Sequence, residues 1–468
     1  MQCKSEGRTC TCAMIAHLTA VLLCVLFLCG AISCTEATGD DPASDTAEGQ
    51  TDADRFRGEA LSVLSADTAY ASDGTGSAVS RALYTLDGAI RDTLGITVSY
   101  ETRSARFSED RKALLTAVRR DVESGAGRYD LFRLPALTAT EAALCGVLAA
   151  LPDAAACDGL SFAVLSGDRM LGFGAFDPAL IDTVPCIAVS ESLLGAAGIS
   201  VSALLETVAD GGFTVEEMMR LGTEVSAQLG AEREVIPFAA TDAQAVTMYY
   251  GAGFAAVDTA WESTVHGDLR AEMPRTFFST VTDWMRKSGC PENTLGISLF
   301  AEGRLLMMPI GMASLTLLAD SLQSGAGLLV LPLPKWKTAQ SDYRAPLSSD
   351  ALTYATSAVT DHGALCAAVL SLAADRGTVA VTGAFFEALY GAPIGESDLR
   401  RTVFDLAVRS VQYDLGYTAS DLLGGKAELL LQGCVRGGMS DMRYHEALLS
   451  LSDAIDALLK ETEEAQHG

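Results

Sequence analysis

The chain has 468 residues, 49% of them hydrophobic and 20% charged, with a mean hydropathy of +0.25; it can bury a full core and is long enough for two to three units of about 150 residues. A formal net charge of −27 and a pI near 4.5 repel phosphate backbones, which excludes a nucleic-acid partner and disfavours attachment to anionic lipid by charge alone.

The first residues read as an export signal. Lys4 and Arg8 precede an apolar stretch from Leu18 to Leu28 (LTAVLLCVLFL), and small residues follow up to Ser33 and Cys34. Ala31-Ile32-Ser33-Cys34 resembles a bacterial lipobox, with Ala31 in place of the usual leucine. The resemblance implies a signal peptide over residues 1–33 and lipidation of Cys34, which becomes the N-terminus on the outer face of the cell membrane. The other reading is an uncleaved membrane helix over Ala13–Ile32, since about twenty apolar residues span a bilayer. Both readings place the remaining chain outside the membrane and tethered to it. Residues 34–55 are acidic; from 35 to 54 they carry no lysine, arginine or aromatic residue and no aliphatic side chain larger than alanine, so this segment is expected to be a disordered tether.

From Phe56 the pattern alternates. Ile96–Tyr100 has the period of a strand, and Asp110–Val122 places Leu114, Leu115 and Val118 on one helical face. Gly125-Ala126-Gly127 ends that helix, and Tyr129–Phe132 suits a buried parallel strand. The three form a βαβ unit of a mostly parallel sheet. Helices are predicted at Thr214–Gln228, Thr276–Lys287, Ala364–Ala374, Glu396–Ser410 and Tyr444–Ala465. No Pro/Ser-rich linker divides the body, which points to two lobes built by interleaved chain passages.

Metal and enzyme signatures are missing from the sequence. Beyond the leader, Cys145, Cys157, Cys186, Cys290, Cys366 and Cys434 are scattered without a CxxC pair or a nearby histidine, so neither zinc nor a cofactor is expected. An exported chain admits a Cys145–Cys157 disulfide; isolated buried thiols are the other reading. Gly251 to Ala256 fits G-x-G-x-x-A, but Tyr249-Tyr250 before it belongs to a helical run rather than a strand, so the match reads as accidental. His445-Glu446 has no second histidine beside it, and no G-x-S-x-G or Walker loop occurs. The chain is read as a non-enzyme with no catalytic residue.

Six segments, in order, carry a family likeness: Gly125–Pro135 (GAGRYDLFRLP), Thr207–Met219 (TVADGGFTVEEMM), Phe300–Gly311 (FAEGRLLMMPIG), Leu331–Tyr343 (LPLPKWKTAQSDY), Asp361–Ala374 (DHGALCAAVLSLAA) and Tyr413–Tyr417 (YDLGY). Their succession resembles the type 1 extracellular solute-binding proteins of ABC transporters, in particular divergent clostridial lipoprotein members. Phe213 stands where the family has tryptophan, Ser190-Glu191 where it has Asn-Lys, and the stretch from Asp153 to Ile187 is short. The resemblance implies an α/β, two-lobed periplasmic-binding-protein-like fold (type II) whose hinge is crossed more than once. Lobe one would take residues 56–180 and 300–350, and lobe two 181–299 and 351–465. It also implies a small solute, a sugar or oligosaccharide, bound between the lobes and passed to ABC permease subunits. The alternative is a surface adhesin or sensory lipoprotein that keeps the fold without transport.

Candidate ligand contacts follow from strand ends and helix starts, where open α/β sheets hold ligands. Arg103 and Arg133 follow the first two core strands. Thr241 and Asp242 begin a helix, with either residue as its N-cap, that carries Tyr249 and Tyr250 two turns on, and plain capping accounts for Asp242 equally well. By family position Met312 and Ser314 lie in a recurrent cleft turn, and Tyr413 and Tyr417 near the second lobe's mouth. Trp261 borders the cleft in this reading, Trp284 belongs to a core helix and Trp336 to a loop.

Overall fold

The computed structural model describes residues 55–66, 75–149, 161–166, 169–257, 265–322, 327–391, 398–437 and 439–467. The leader, Cys34, the tether up to Asp54, Cys157 and Trp261 lie outside the described residues.

Two sheets organise the body. The first has the order β2-β1-β3-β11-β5-β4, from strands β1 (Ala60–Ser65), β2 (Thr97–Thr102), β3 (Leu131–Pro135), β4 (Ser161–Ser166), β5 (Arg169–Phe176) and β11 (Leu352–Thr356). The second has the order β7-β8-β6-β9, from β6 (Pro185–Ser190), β7 (Ile236–Phe238), β8 (Leu305–Gly311) and β9 (Leu328–Leu331). Between them a two-stranded ladder joins β10 (Ala345–Pro346) to β12 (Val411–Gln412) in parallel.

In the first layer β1 pairs in parallel with both β2 and β3, as the βαβ reading requires. Helix α1 (Ala78–Leu94) connects β1 to β2, and α2 (Ser108–Glu123) connects β2 to β3. The start of α1 is capped by Ser77 and its end by Gly95 at φ +65°, and its buried stripe is Val79, Leu83, Leu86, Ile90 and Leu94. Strand β3 begins two residues later than predicted and is buried along its whole length. Both of its faces are covered, so a continuous apolar run suits it better than alternation. Helix α3 (Ala136–Leu144) follows at once.

In the second layer the helices are α4 (Glu191–Ala196), α5 (Val201–Ala209), α6 (Val215–Arg233), α7 (Asp242–Gly251), α8 (Met273–Lys287) and α9 (Ala313–Ser321). Helix α10 (Gly363–Tyr390) packs along α1 in the first layer, whereas α11 (Leu399–Arg409) packs on α5 and β9. Helix α12 (Lys426–Val435) lies against α7 and α8, and α13 (Asp441–His467) against α12.

Helix α10 runs sixteen residues beyond its predicted end at Ala374. Gly377 lies inside this extension, where a glycine weakens a helix. The structure uses that glycine for a close approach, since a Cβ there would lie 2.3 Å from Pro178 Cγ and 2.9 Å from Leu86 Cδ2. By length and composition α10 could cross a membrane, but residues from Leu365 to Phe386 bury one side of it in the body.

The two-lobed α/β arrangement agrees with the expectation, while the lobe boundaries differ. Residues 300–350 were assigned to the first lobe, yet β8 and β9 pair with β6 in the second sheet. Residues from 351 were assigned to the second lobe, yet β11 pairs with β3 and β5 in the first. Apolar runs mark these segments as strands without naming their neighbours; register decides the sheet. The chain passes between layers at 177–185, at 332–351 and again after α10.

Among the described residues Cys186, Cys290, Cys366 and Cys434 are buried free thiols and Cys145 a half-buried one.

Candidate functional site

The C-terminal end of β7 and the first turn of α7 gather the most chemistry. Thr241 caps α7: its Oγ1 accepts from Gln244 N at 3.2 Å, and Gln244 Oε1 accepts from Thr241 N at 2.8 Å. This reciprocal capping box satisfies two otherwise unpaired donors. Gln244 Nε2 also donates to Pro309 O at 2.6 Å, which ties the helix start to β8. Asp242 N donates to Asn293 Oδ1 at 3.0 Å, and Asp242 Oδ2 accepts from Arg436 Nε at 2.7 Å. Asn293 sits at φ +43°, a conformation asparagine tolerates better than most residues.

A cavity of about 340 Å³ opens against this turn. Phe238, Phe277, Phe278 and Met285 give it apolar walls, and Asp242, Arg286, Asn293 and Arg436 give it polar groups. The three phenylalanines are themselves fully buried, so the apolar side of the cavity is core packing, and Asp242, Arg286, Asn293 and Arg436 are the groups that could meet the hydroxyls of a sugar.

A second cavity, of about 170 Å³, lies against Ala243, Val246 and Tyr250 of α7. Its other walls are Ser348, Ser349, Tyr417 and Glu428. Tyr250 and Tyr417 meet edge to face with ring centroids 5.1 Å apart. Ser349 O accepts from Leu137 N of α3 at 3.0 Å, so this cavity borders the passage from one layer to the other. Ser420 Oγ, also in its lining, is buried with no hydrogen-bond partner among the described residues.

The predicted contacts are thus only partly gathered. Thr241 and Asp242 share the larger cavity, and Tyr417 lines the smaller. Tyr249 points the other way from the expectation: it is fully buried, with Phe254 at 5.0 Å, Tyr250 at 5.6 Å and Phe277 and Phe278 at 5.8 Å. Helical periodicity puts neighbours Tyr249 and Tyr250 about 100° apart, and it is Tyr250 that reaches a cavity. Met312 is buried and lines neither cavity. Ser314 lies in α9, half-buried.

Arg103 pairs with Glu101 at 2.8 Å beside a separate cavity along α2, lined also by Arg128 and Tyr129. Arg133 is wholly buried. Its Nε donates to Asp177 Oδ2 at 2.5 Å, its Nη2 to Asp177 Oδ1 at 3.3 Å and its Nη1 to Ser65 Oγ at 3.4 Å. A cation enclosed in this way holds the fold and presents nothing to a solute. Phe213, in the tryptophan position, is also fully buried, and its N–H donates to Tyr343 Oη at 3.1 Å. Thr214 forms a bridge with Lys335, so the Thr207–Met219 and Leu331–Tyr343 segments brace one another.

Trp336 packs between Phe254 and Phe277 at 5.8 and 5.7 Å, and Trp284 against Phe238 at 5.9 Å. Tyr413 Oη lies 3.1 Å from Thr140 Oγ1 of α3. Sequence reasoning places Tyr250 beside Tyr249 on this helix but misses Phe277, Phe278, Asn293 and Arg436; only the apolar stripe of the predicted Thr276–Lys287 helix hints at the phenylalanines. Gly251 is the last residue of α7, so a helix and not a strand leads into Gly251–Ala256, as its accidental reading requires. Among the described residues no group of three His, Cys, Asp or Glu side chains is placed to hold a metal ion.

No family model matches the chain, and no curated protein does. Solved structures do. The sugar-binding protein MalE of Xanthomonas citri matches at 14% identity and TM-score 0.55, covering 86% of this chain and 98% of its own. A family 1 extracellular solute-binding protein of Bifidobacterium longum subsp. infantis matches at 15% identity and TM-score 0.53, over 86% and 100%. The GacH receptor of Streptomyces glaucescens, solved unliganded and with acarbose, matches at 16% identity and TM-score 0.51, over 86% and 99%. The chain has the fold of the two-lobed solute-binding proteins. The start of α7 lies just past the C-terminal end of β7, and the cavity against it is lined from β7, α7, α8 and the end of α12, with no residue of the first sheet.

Proposed function

We propose that the chain is an extracellular lipoprotein that captures a sugar or oligosaccharide for an ABC importer. The supporting observation is the start of α7, where Asp242, Asn293 and Arg436 converge on an aromatic-walled cavity of about 340 Å³. The similar structures, a sugar-binding protein and a receptor solved with acarbose among them, favour a carbohydrate over other small solutes. Thermal unfolding of the detergent-solubilised full chain against mono- and oligosaccharides, polyols and amino acids tests this. A ligand at 100 times its Kd stabilises the protein by about 2.7 kcal/mol. Asp242→Ala is expected to weaken carbohydrate binding by about tenfold, because it removes an acceptor and frees Arg436 from its partner. No shift from any compound in a broad library sinks the transport reading.

A surface adhesin or sensory lipoprotein draws on the withdrawal of Arg133, Tyr249 and Met312 into the core. It is the reading that survives such silence.

Membrane attachment rests on Cys34. In cells supplied with radiolabelled palmitate, the wild-type chain is expected to take up label and Cys34→Ser none. Equal labelling of the two proteins rejects Cys34 as the anchor.

A further inference from the structure

A fourth cavity, of about 260 Å³, lies under the two-stranded ladder that joins the layers. Its walls come from Arg344, Ala345 and Pro346 at β10, from Gln412, Tyr413 and Asp414 at β12, and from Tyr250, Phe254 and His266 of the second layer. Thr241, Asp242 and Tyr417 are not part of it, so it is distinct from the site at the start of α7.

Arg344 is the unusual group here. Its Nη1 donates to Gly253 O at 3.4 Å, and its Nε is buried with no hydrogen-bond partner among the described residues. This is a spare cation in a chain whose net charge is −27. Asp414, the carboxyl group in the same lining, does not serve it. Its oxygens accept from the backbone N–H of Tyr417 at 3.1 Å and from those of Gly416 and Ala256. The imidazole of His266 is taken up by its own turn, Nδ1 lying 3.2 Å from Asp268 N and 3.0 Å from Asp268 Oδ2. A buried guanidinium donor without an acceptor is costly unless something supplies one, and the planar guanidinium fork matches a carboxylate. Phe254 and Tyr250 add aromatic surface beside it.

We propose that this cavity is a second ligand site, which takes a carboxylate of monosaccharide size with its carboxyl group on Arg344 and its body against Phe254 and Tyr250. Because β10 and β12 both contribute walls, an acid held here touches both strands of the ladder between the layers.

Isothermal titration calorimetry on the detergent-solubilised full chain, with benzoate and cyclohexanecarboxylate as probes and benzyl alcohol and cyclohexylmethanol as uncharged controls, none of them a sugar, tests the site. At least one acid is expected to bind while its control does not. Arg344→Gln is expected to weaken that binding by at least about tenfold, and Arg344→Lys by less, since it keeps the charge and loses the fork. Asp242→Ala is expected to leave acid binding unchanged, which separates this site from the carbohydrate site. Circular dichroism confirms that each variant is folded, and if Arg344→Gln is not, Phe254→Leu, which trims the aromatic wall, takes its place with the same direction of effect. Absence of binding by both acids, equal binding of acid and control, or acid binding lost with Asp242→Ala and kept in the Arg344 variants overturns the proposal.

Discussion

Arg133→Met is expected to destabilise the protein by about 3–5 kcal/mol, the penalty for leaving one half of a buried ion pair alone. Arg133 and Asp177 are both 0% exposed. They lie on either side of β11: Arg133 is in β3, and Asp177 follows β5 directly. The pair therefore clamps the first sheet across a strand at the point where the chain departs for the second sheet. Asp177 also accepts from Ala179 N at 2.7 Å, which caps the turn that makes that departure. Removing the guanidinium leaves a carboxylate in a site that water does not reach. Chemical denaturation of wild type, Arg133→Met and the double variant Arg133→Met/Asp177→Asn reads this out. The double variant is expected to recover part of the loss, since neither charge is then buried alone. A single variant within about 1 kcal/mol of wild type overturns this account of the pair.

The second large effect is a pH dependence centred on Asp414. Burial pushes its carboxyl up to about 7, with the backbone N–H groups of Tyr417, Ala256 and Gly416 pulling the other way. The unfolded value is about 3.9, so the native state holds this proton more tightly than the unfolded chain. The stability it contributes is then fully present below about pH 4 and is lost as pH rises through about 7. A difference of that size corresponds to about 4 kcal/mol across the window. Asp414→Asn keeps an acceptor for the cap and cannot ionise. Wild-type stability minus that of Asp414→Asn is therefore expected to fall between about pH 4 and 7 and to level off above it. Burial raises the phenols of Tyr250, Tyr413 and Tyr417, that of Tyr417 to about 12, so they stay neutral throughout. His266 and Arg344, which line the same cavity, are common to both proteins and cancel in the difference. Parallel curves for the two proteins reject the assignment.

Much of the secondary structure was legible in the residues. The helices predicted at Thr214–Gln228, Thr276–Lys287, Glu396–Ser410 and Tyr444–Ala465 all appear, within a few residues at each end. Apolar periodicity and capping chemistry are local, and both act on residues a few positions apart. The helix start at Thr241-Asp242 is legible for the same reason, and the structure decides between the two caps the sequence offers in favour of Thr241. The failures were of another kind. Helix α10 runs past its predicted end at Ala374, and the partners that require a glycine at position 377, Pro178 and Leu86, are not near it in sequence. Arg133 was read as a strand-end cation free for a solute, because Asp177, forty-four residues on, is invisible to local pattern.

The sequence by itself determined the α/β class, the helix start at Thr241-Asp242, the excess acidity and the order of segments that resembles the solute-binding proteins. Only the tertiary structure decided which strands share a sheet, which arginine is enclosed and which aromatic rings face a cavity. Periodicity specifies which side of an element is apolar, whereas strand register and long-range pairing specify what that side meets. The start of α7 shows both at once: the sequence supplied Thr241 and Asp242, and the fold brought Asn293 and Arg436 to them.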